Sequence, residues 1–283
     1  MNPLEKPIIN WFKKNKRDLP WRDTSPWGVM VSEYMLQQTP VSRVLPKWIE
    51  WMDRWPTPVN LAKATPAEVI TAWGRLGYPR RALRLHAAAQ IIAREFNNEV
   101  PGDIETLRQL PGIGEYTAAG ISAFAFQKRT LVMDVNIRRL LTRLIDGHEH
   151  PTPAPTSKEK IKRQSLVPIQ DAHIWAAATM ELGAVVCTSK NPKCELCPVI
   201  DLCNWRLLGY PKTDLIRKSQ SWHGTDRKCR GTIVQALREN NSLTESAIKK
   251  LWPDESQVEK AIVSLLEDQL IQSISRSRYR LPQ

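Results

Sequence analysis

Apolar residues recur at spacings of three and four along the first half of the chain, which is the pattern of helices that bury one face. Five segments are predicted as helices on this basis: 27–38, 41–51, 66–76, 81–96 and 116–126. The start of the third agrees, because Thr65 is a capping residue followed by proline at the first helical position. Strand-like alternation is nearly absent before residue 270. The sequence therefore predicts a mainly α fold.

The pattern changes towards the C-terminus. Residues 208–228 are polar and poorly periodic, and they are predicted as a linker. Helical patterns follow at 229–239, 244–251 and 256–268, and residues 270–282 alternate around a turn as a β-hairpin does. Three helices followed by a hairpin is the order of a winged-helix module, which is predicted here for residues 229–283. Cys229, at its start, is expected to be a small semi-buried side chain.

The excess of basic residues indicates what kind of partner the protein binds. The 41 lysines and arginines outnumber the 29 aspartates and glutamates, which gives a net charge of +12. Such a surplus favours a polyanion, with nucleic acid ahead of a membrane surface; a merely basic surface is the alternative. The chain lacks both a signal-peptide pattern and a stretch of about 18 apolar residues that could span a membrane. We therefore expect a cytoplasmic protein with no membrane partner, in which structural disulfides are rare.

Four of the five cysteines lie close together in the stretch CTSKNPKCELCPVIDLC, and they are Cys187, Cys194, Cys197 and Cys203. A short loop with four thiolates encloses either a tetrahedral zinc ion or an iron–sulfur cluster. Zinc sites tend to pair two Cys-x2-Cys units, and this stretch has one, so the spacing favours iron–sulfur over zinc. Lys190 and Lys193 lie within the first gap and would present positive charge to a phosphate backbone.

A Gly-x-Gly turn precedes the helix at 116–126, in the stretch LPGIGEYTAAG. Backbone N–H groups in a turn of this kind point at one spot near the positive end of the helix dipole, which favours a phosphate. No strand precedes Gly112 and Gly114, so the turn fails the context of a dinucleotide-binding unit. Two helices around such a turn instead predict contact with a nucleic-acid phosphate; an ordinary turn is the alternative.

Two carboxylates are candidates for chemistry. Glu33 lies in the apolar segment WGVMVSEYMLQQTP, where burial would raise the pKa of a carboxyl towards the range that a general acid needs. The alternative is a glutamate at the solvent edge of its helix. Asp134 precedes a helix with three arginines, and an aspartate there caps the helix without any chemistry. Both roles can coexist, because capping keeps a carboxylate ionised and in one orientation.

Taken together, these features resemble one family. The stretches SEYMLQQTP, LPGIGEYTAAG and MDVNIRRLL and the spacing of the four cysteines are similar to those of the helix-hairpin-helix DNA glycosylases with an iron–sulfur cluster. Within them, the chain resembles the MutY-type adenine glycosylases from about residue 7 to 207. The resemblance implies two all-α lobes and a [4Fe–4S] cluster at the four cysteines. Residues 1–24 and 135–207 would form the cluster lobe, and 25–134 a six-helix barrel lobe with the helix-hairpin-helix at 105–126.

The resemblance also implies an activity, which is hydrolysis of the N-glycosidic bond of adenine mispaired with 8-oxoguanine or guanine in double-stranded DNA. The enzyme would act as a monomer, at the nucleoid in a bacterium. Glu33 would protonate the flipped-out adenine at N7, Asp134 would stabilise the oxocarbenium-like cation, and Asn136 would hydrogen-bond in the site. The family usually has glycine where this chain has Val135. Tyr116 replaces the lysine with which endonuclease III forms a Schiff base, which implies base removal without strand cleavage.

Gln37 and Tyr78 match positions that the family inserts into the duplex, and Gln38 is expected to bind DNA beside them. For Gln37 the alternative is ordinary helix-surface polarity, and for Tyr78 it is an aromatic side chain in a loop. Gly112 and Gly114 would hold DNA phosphates in the same interpretation.

The resemblance ends near residue 207, since the residues beyond it do not match the mostly β, Nudix-related domain with which the family reads 8-oxoguanine. Two alternatives to the adenine enzyme remain. One is a mismatch thymine glycosylase or an endonuclease III-like lyase, against which Glu33 and Tyr116 argue respectively. The other is a non-catalytic protein that binds damaged DNA, against which the presence of both carboxylates argues.

Overall fold

The structure, a computed structural model, describes residues 2–212 and 224–283. The helices, in chain order, are α1 (Glu5–Asn15), α2 (Pro26–Leu36), α3 (Val41–Arg54), α4 (Pro58–Ala62), α5 (Pro66–Trp73), α6 (Arg80–Glu95), α7 (Ile104–Gln109), α8 (Glu115–Phe126), α9 (Val135–Leu141), α10 (Ser157–Gln164), α11 (Ala172–Val185), α12 (Asn204–Leu207), α13 (Asp226–Glu239), α14 (Glu245–Lys249) and α15 (Glu255–Glu267). The strands are β1 (Leu243–Thr244), β2 (Gln272–Ser275) and β3 (Arg278–Arg280). The mainly α prediction is confirmed. Over the residues described, no helix combines the length and the apolar character needed to cross a membrane.

Contacts divide the chain into two compact units. The first comprises the described parts of Met1–Val29 and Ile113–Ile216, together with Gly102–Gln109. The second comprises Met30–Pro101, Leu110–Gly112 and the described part of Arg217–Gln283. This division places α7 and α8 in the first unit, whereas the predicted boundaries group them with residues 25–134. The domain boundaries remain a prediction. The central part of the predicted linker, 213–223, lies outside the described residues.

Local signals account for most helix boundaries. At the start of α5, Thr65 and Glu68 form the expected capping box, in which each side chain bonds the backbone of the other residue. Hydrophobic periodicity does not predict α11, because most of its residues are apolar and they form no single apolar stripe. The helix at α11 is therefore not singled out by the sequence pattern, although it is central to the first unit.

The core of the first unit is built on α11. Trp175 and Leu182 of this helix are buried together with Ile8 and Phe12 of α1 and Leu140 of α9. Their burial removes several large apolar side chains from water, each worth about 2 kcal/mol. The unit consequently holds α9, and the residue that caps it, in one orientation.

A buried ion pair fastens the N-terminal segment to α11. Glu181 is 1% exposed, and its carboxylate accepts hydrogen bonds from Arg17 Nε and Nη2 at 2.8 and 2.7 Å and from Arg22 Nη2 at 2.8 Å. Burial alone would raise the pKa of the Glu181 carboxyl, but the hydrogen bonds from Arg17 and the charge of Arg22 outweigh it, and the pKa is lowered.

The second unit has a tryptophan-rich core. Trp51 packs edge-to-face against Trp55 and Trp73, with ring centroids 4.6 and 5.6 Å apart. Such pairs stabilise a core by about 1 kcal/mol each beyond the area that they bury. They join α3 to α5, the helix that precedes the loop of Tyr78.

The C-terminal module belongs to this second unit. Its three helices and three strands follow one another in the order α13, β1, α14, α15, β2 and β3, which is the topology of a winged helix and confirms the prediction. The sheet has the order β1-β3-β2 and is antiparallel, with Tyr279 opposite both Leu243 and Ser273. Cys229 is fully buried in the module core, more deeply than expected.

A first prediction concerns Glu181. Because its folded pKa is lowered, the ionised carboxylate stabilises the fold above the ordinary glutamate pKa of about 4.3, and this contribution is lost as the pH falls through the folded value. We expect Glu181→Gln to lower the free energy of unfolding by about 2 kcal/mol at neutral pH and by much less in acid. Urea denaturation at both pH values measures this. Glu105→Gln, which changes an exposed carboxylate of the same unit, should have little effect; an equal loss at both pH values would contradict the assignment.

Candidate functional site

Glu33 lies in the buried part of α2. The residue is 5% exposed, between Ser32 at 1% and Tyr34 at 0%. It is therefore desolvated, and the alternative of a glutamate at the solvent edge is wrong. Burying a carboxyl on an apolar helix costs folding free energy. A carboxyl that is kept at such a position is therefore a candidate for chemistry.

The turn between α7 and α8 has two different glycines. Gly112 has a φ of +86°, and a Cβ atom there would lie 2.9 Å from both Arg84 Cβ and Tyr34 Cε1. The Tyr34 hydroxyl donates to the Pro111 carbonyl beside it. Gly112 is thus required by the fold, because a side chain would be strained and would clash.

Gly114 has no such requirement. Its φ of −93° suits any residue, and a Cβ atom there would meet nothing within 4 Å. It is the N-cap of α8, so the first N–H groups of the helix lie beside open space. The open surface at Gly114 suits the close approach of a phosphate to the positive end of α8.

A buried arginine orders the two loops that carry Gln37, Gln38 and Tyr78. Arg81, at the start of α6, is 6% exposed. Its guanidinium donates to acceptors at the end of α2 and in the following loops, namely the carbonyl groups of Tyr34, Met35, Gln37, Leu76 and Gly77 and the hydroxyl of Thr39. Burial lowers the pKa of Arg81 to about 10, so the guanidinium remains charged at neutral pH.

Gln38 and Tyr78, in these two loops, adopt left-handed backbone conformations with φ of +56° and +48°. For residues with a Cβ atom this conformation costs about 1 kcal/mol or more and persists where the surroundings impose it. Gln38 is exposed, Gln37 is half-buried, and Tyr78 is 42% exposed. The bonds of Arg81 therefore hold all three residues on ordered loops that are open to solvent.

In the first unit, Asp134 caps α9. Its carboxylate accepts hydrogen bonds from the Ile137 backbone N–H at 2.6 Å and from Asn136 Nδ2 at 2.7 Å. Burial raises the pKa of the Asp134 carboxyl, although the hydrogen bonds from Ile137 and Asn136 and the charge of Arg139 act in the opposite direction. Asp134 is the expected cap, and its carboxyl is held in one orientation at a half-buried position.

Arg139 links this carboxylate to the cysteine loop. Its Nη2 donates to Asn136 Oδ1 at 2.9 Å, and its Nε donates to the Cys187 carbonyl at 2.8 Å. Close packing supports the link, because a Cβ atom at Gly183 would lie 2.6 Å from the Asn136 carbonyl oxygen. The sequence shows arginines on α9, but it does not show that Arg139 is buried, and only the fold reveals this link.

Tyr116 lies in the first turn of α8 and is half-buried against the core of the first unit. The neighbouring Glu115 forms an ion pair with Lys160 of α10 at 2.7 Å. Tyr116 and Asp134 both belong to the first unit.

The four cysteines surround one pocket. The pocket has an empty volume of about 370 Å³, part of it open to solvent, and is lined by Cys187, Cys194, Cys197 and Cys203. In the part of the chain that the structure describes, no three cysteine, histidine or carboxylate groups are placed to hold a single metal ion. Four cysteines around one pocket are the ligand set that an iron–sulfur cluster takes.

Positive charge lies against this pocket. Arg143 is 1% exposed, and its Nη1 donates to Cys187 Sγ at 3.3 Å and to the Thr188 carbonyl at 2.7 Å. Its guanidinium stacks over Trp205 at 4.6 Å. Burial raises the pKa of Cys197 to about 12, so thiolates here need a compensating cation such as iron or Arg143. The donor set and its surroundings thus fit an iron–sulfur cluster.

The loop between the first two cysteines is exposed at Lys190 and Lys193. The Thr188 hydroxyl donates to the Lys190 carbonyl at 2.7 Å, and the Lys193 N–H donates to the Val186 carbonyl at 3.0 Å. The backbone of this basic loop is therefore ordered while both lysine side chains face solvent.

Comparisons with known proteins place the chain in a family. Residues 31–181 match the HhH-GPD superfamily of base excision DNA repair proteins, and residues 187–203 match the iron–sulfur binding domain of endonuclease III. The adenine DNA glycosylase of Mycolicibacterium smegmatis is 44% identical over 99% of this chain and 96% of its own length. That of Mycobacterium tuberculosis is 43% identical over 97% of this chain and 92% of its own length.

The chain belongs to the adenine DNA glycosylase family. Membership makes it a base excision repair enzyme of the N-glycosylase class with a [4Fe–4S] cluster, which confirms those predictions. A thermostable thymine-DNA glycosylase shares the fold, with a TM-score of 0.65 at 23% identity over 72% of this chain and 94% of that chain. The match to the M. smegmatis glycosylase extends over the C-terminal module, which is therefore shared with a full-length member of the family.

A second prediction separates the two glycines of the helix-hairpin-helix turn. Gly112→Ala should lower the free energy of unfolding by about 2–4 kcal/mol, because alanine is strained at this φ and clashes with Tyr34 and Arg84. Gly114→Ala should leave stability within about 0.5 kcal/mol of the parent and weaken DNA binding about fivefold, because its methyl group occupies the open approach to α8. Thermal melts and fluorescence anisotropy with a DNA duplex test both. Unchanged DNA affinity of Gly114→Ala would remove the phosphate assignment.

Proposed function

We propose that this glycosylase hydrolyses the bond between C1′ and N9 of an adenine mispaired with 8-oxoguanine or guanine in double-stranded DNA, and that it leaves the strand intact. The observation that carries the proposal is the difference between two carboxyl groups, one buried on an apolar helix and one capped by N–H donors. Glu33 is 5% exposed, and Asp134 accepts two hydrogen bonds. One neutral and one ionised carboxyl is the combination that hydrolysis of a glycosidic bond needs.

Glu33 is the general acid in this proposal. Burial favours the neutral form of a carboxyl, which can transfer its proton to N7 of the adenine after the base has left the stack. Protonation makes adenine a better leaving group, so the C1′–N9 bond breaks and positive charge develops on the sugar. The electron pair of that bond stays with N9.

Asp134 balances this charge. Its carboxylate is oriented by Ile137 and Asn136, which leaves it little freedom to rotate when the cation forms. Water then adds to C1′, and its lost proton restores the acid form of Glu33. The products are free adenine and an abasic site.

Tyr116 limits the reaction to base removal. A phenol cannot form an imine with the sugar, so the Tyr116 side chain cannot drive strand cleavage through a Schiff base. The strand should therefore break at the abasic site only after treatment with alkali.

Cys187, Cys194, Cys197 and Cys203 are the proposed ligands of the cluster. The bound cluster supplies structural iron–thiolate bonds that tie the basic loop to the first unit. Lys190 and Lys193 then contact DNA phosphates, Gln37 and Tyr78 enter the duplex where the adenine has left, and Gln38 binds DNA beside them. We further propose that the protein acts as a monomer in the cytoplasm, at the nucleoid in a bacterium.

A third prediction tests this function directly. The iron-loaded protein is incubated with duplexes that contain adenine opposite 8-oxoguanine or guanine, with T:G and A:T duplexes as controls, and each sample is divided for treatment with or without hot alkali. We expect breaks at the mispaired adenine after alkali alone. Glu33→Gln and Asp134→Asn should lose at least about 100-fold in rate and still bind the mismatch. Breaks without alkali would overturn the role of Tyr116, and thymine release from T:G the substrate.

A fourth prediction concerns pH. Asp134 must be ionised, so the rate should fall as the pH drops through its raised folded pKa. Asn136→Ala removes one hydrogen bond to the carboxylate and raises that pKa further, so the acid limb of the rate profile should move to higher pH. Single-turnover adenine release from about pH 5 to pH 8 measures the limb. Asn15→Ala, an exposed asparagine of α1, should leave it in place; an unmoved limb in Asn136→Ala would exclude Asp134 as its source.

A further inference from the structure

Tyr78 contacts a residue far away in the sequence. Arg227, in the first turn of α13, donates from Nη1 to the Tyr78 hydroxyl at 2.8 Å, and its guanidinium lies 4.7 Å from the centre of the Tyr78 ring. Both residues belong to the second unit. The C-terminal module therefore meets the body of the enzyme at the one aromatic residue that is proposed to enter the duplex.

The module is anchored firmly enough for this contact to act. Ile70 of α5 is fully buried in the same core as the module residues Ile233 and Val234. The Arg238 Nε donates to the Ile70 carbonyl at 3.1 Å, since the end of α13 runs beside α5. These contacts fix α13 against the helix that precedes the Tyr78 loop.

A second anchor lies just after Tyr78. Arg80, at the start of α6, forms an ion pair with Asp268 at 3.1 Å, and Asp268 also accepts a hydrogen bond from Arg230 of α13. The module thus holds the chain before and after Tyr78, while Arg227 contacts the side chain itself. Loop and side chain are constrained by the same module.

The contact restricts the Tyr78 ring in two ways. The hydrogen bond fixes the position of the hydroxyl, and the guanidinium over the ring opposes its rotation. Arg81 adds a second guanidinium 5.7 Å from the same ring. An exposed aromatic side chain in a loop would otherwise sample several rotamers. Ordering the Tyr78 side chain before binding lowers the entropic cost of its insertion.

We propose that Arg227 is a positioning residue that orients Tyr78 for insertion into the duplex, so that the C-terminal module takes part in choosing the mismatch. The proposal rests on the function proposed above. It gives the module a role at the mispair through the inserted side chain of Tyr78. Discrimination arises because a mispaired step unstacks at lower cost than a paired one, and a correctly oriented ring uses that difference.

The test measures DNA binding and insertion of Tyr78 into the duplex. It uses the full-length, cluster-loaded protein carrying Asp134→Asn, which separates recognition from turnover. Anisotropy gives the Kd for duplexes with A opposite 8-oxoguanine and for A:T duplexes, and a 2-aminopurine next to the mispair reports unstacking. Arg227→Ala should reduce the ratio of paired to mispaired Kd values about fivefold and lower the 2-aminopurine signal at saturation. Arg227→Lys, which keeps a cation near the ring, should retain part of both.

Two comparisons show whether the effect passes through Tyr78. In a Tyr78→Ala background, Arg227→Ala should change neither the Kd ratio nor the fluorescence further, because the ring that it orients is absent. Lys260→Ala, which removes an exposed charge from α15 of the same module, should leave the Kd ratio as in the parent. Tyr78→Phe keeps the ring and removes the hydroxyl, so it should show an intermediate loss even if the alanine variant folds poorly.

The outcomes separate this inference from the proposed function. If Arg227→Ala behaves like Lys260→Ala, or lowers the ratio equally with and without Tyr78, Arg227 is not a positioning residue, whatever the activity of the parent. If the coupling is present and the wild-type enzyme releases no adenine, the positioning role stands and the proposed reaction falls. A parent that binds every duplex equally would overturn the positioning role, and adenine release by the wild-type enzyme would decide the proposed reaction separately.

Discussion

In each of the two units, a buried guanidinium group donates to backbone carbonyl oxygens and thereby orders the segments that carry the proposed functional residues. Arg81 does so for the end of α2 and the Tyr78 loop, and Arg139 and Arg143 do so for the cysteine loop. Loops of this kind have few apolar contacts of their own. A planar donor with five N–H groups can satisfy several carbonyl groups at once, which no apolar side chain can do.

The same arrangement has an electrostatic consequence. Burying a guanidinium is unfavourable, and its many hydrogen bonds offset the lost hydration without neutralising the charge. The positive charge remains where thiolates gather, at Cys187 through Arg143, and near the Asp134 carboxylate through Arg139. Loop order and charge compensation therefore have one physical source.

Arg139 connects two parts of the first unit, the Asp134 carboxylate and the cysteine loop. Through Asn136 it reaches the carboxylate of Asp134, and through the Cys187 carbonyl it reaches the cysteine loop. A displacement of that loop would move Arg139, and with it the orientation of Asp134. In the second unit the C-terminal module has a comparable position, because Arg227 reaches the side chain of Tyr78.

Much of this follows from the order of residues alone. Helix periodicity, the Thr65 cap and the hairpin at the C-terminus predict elements within a few residues, because these signals act over one or two turns. The four cysteines and both carboxylates are recognisable because their chemistry and spacing are local. The burial of Glu33, the approach of Arg139 to Cys187 and the contact of Arg227 with Tyr78 are different. They join residues that are distant in sequence or depend on which face of a helix is covered, and periodicity is silent where a helix such as α11 is apolar on several faces. Only packing in three dimensions decides those, since desolvation and hydrogen bonding depend on what the fold brings alongside.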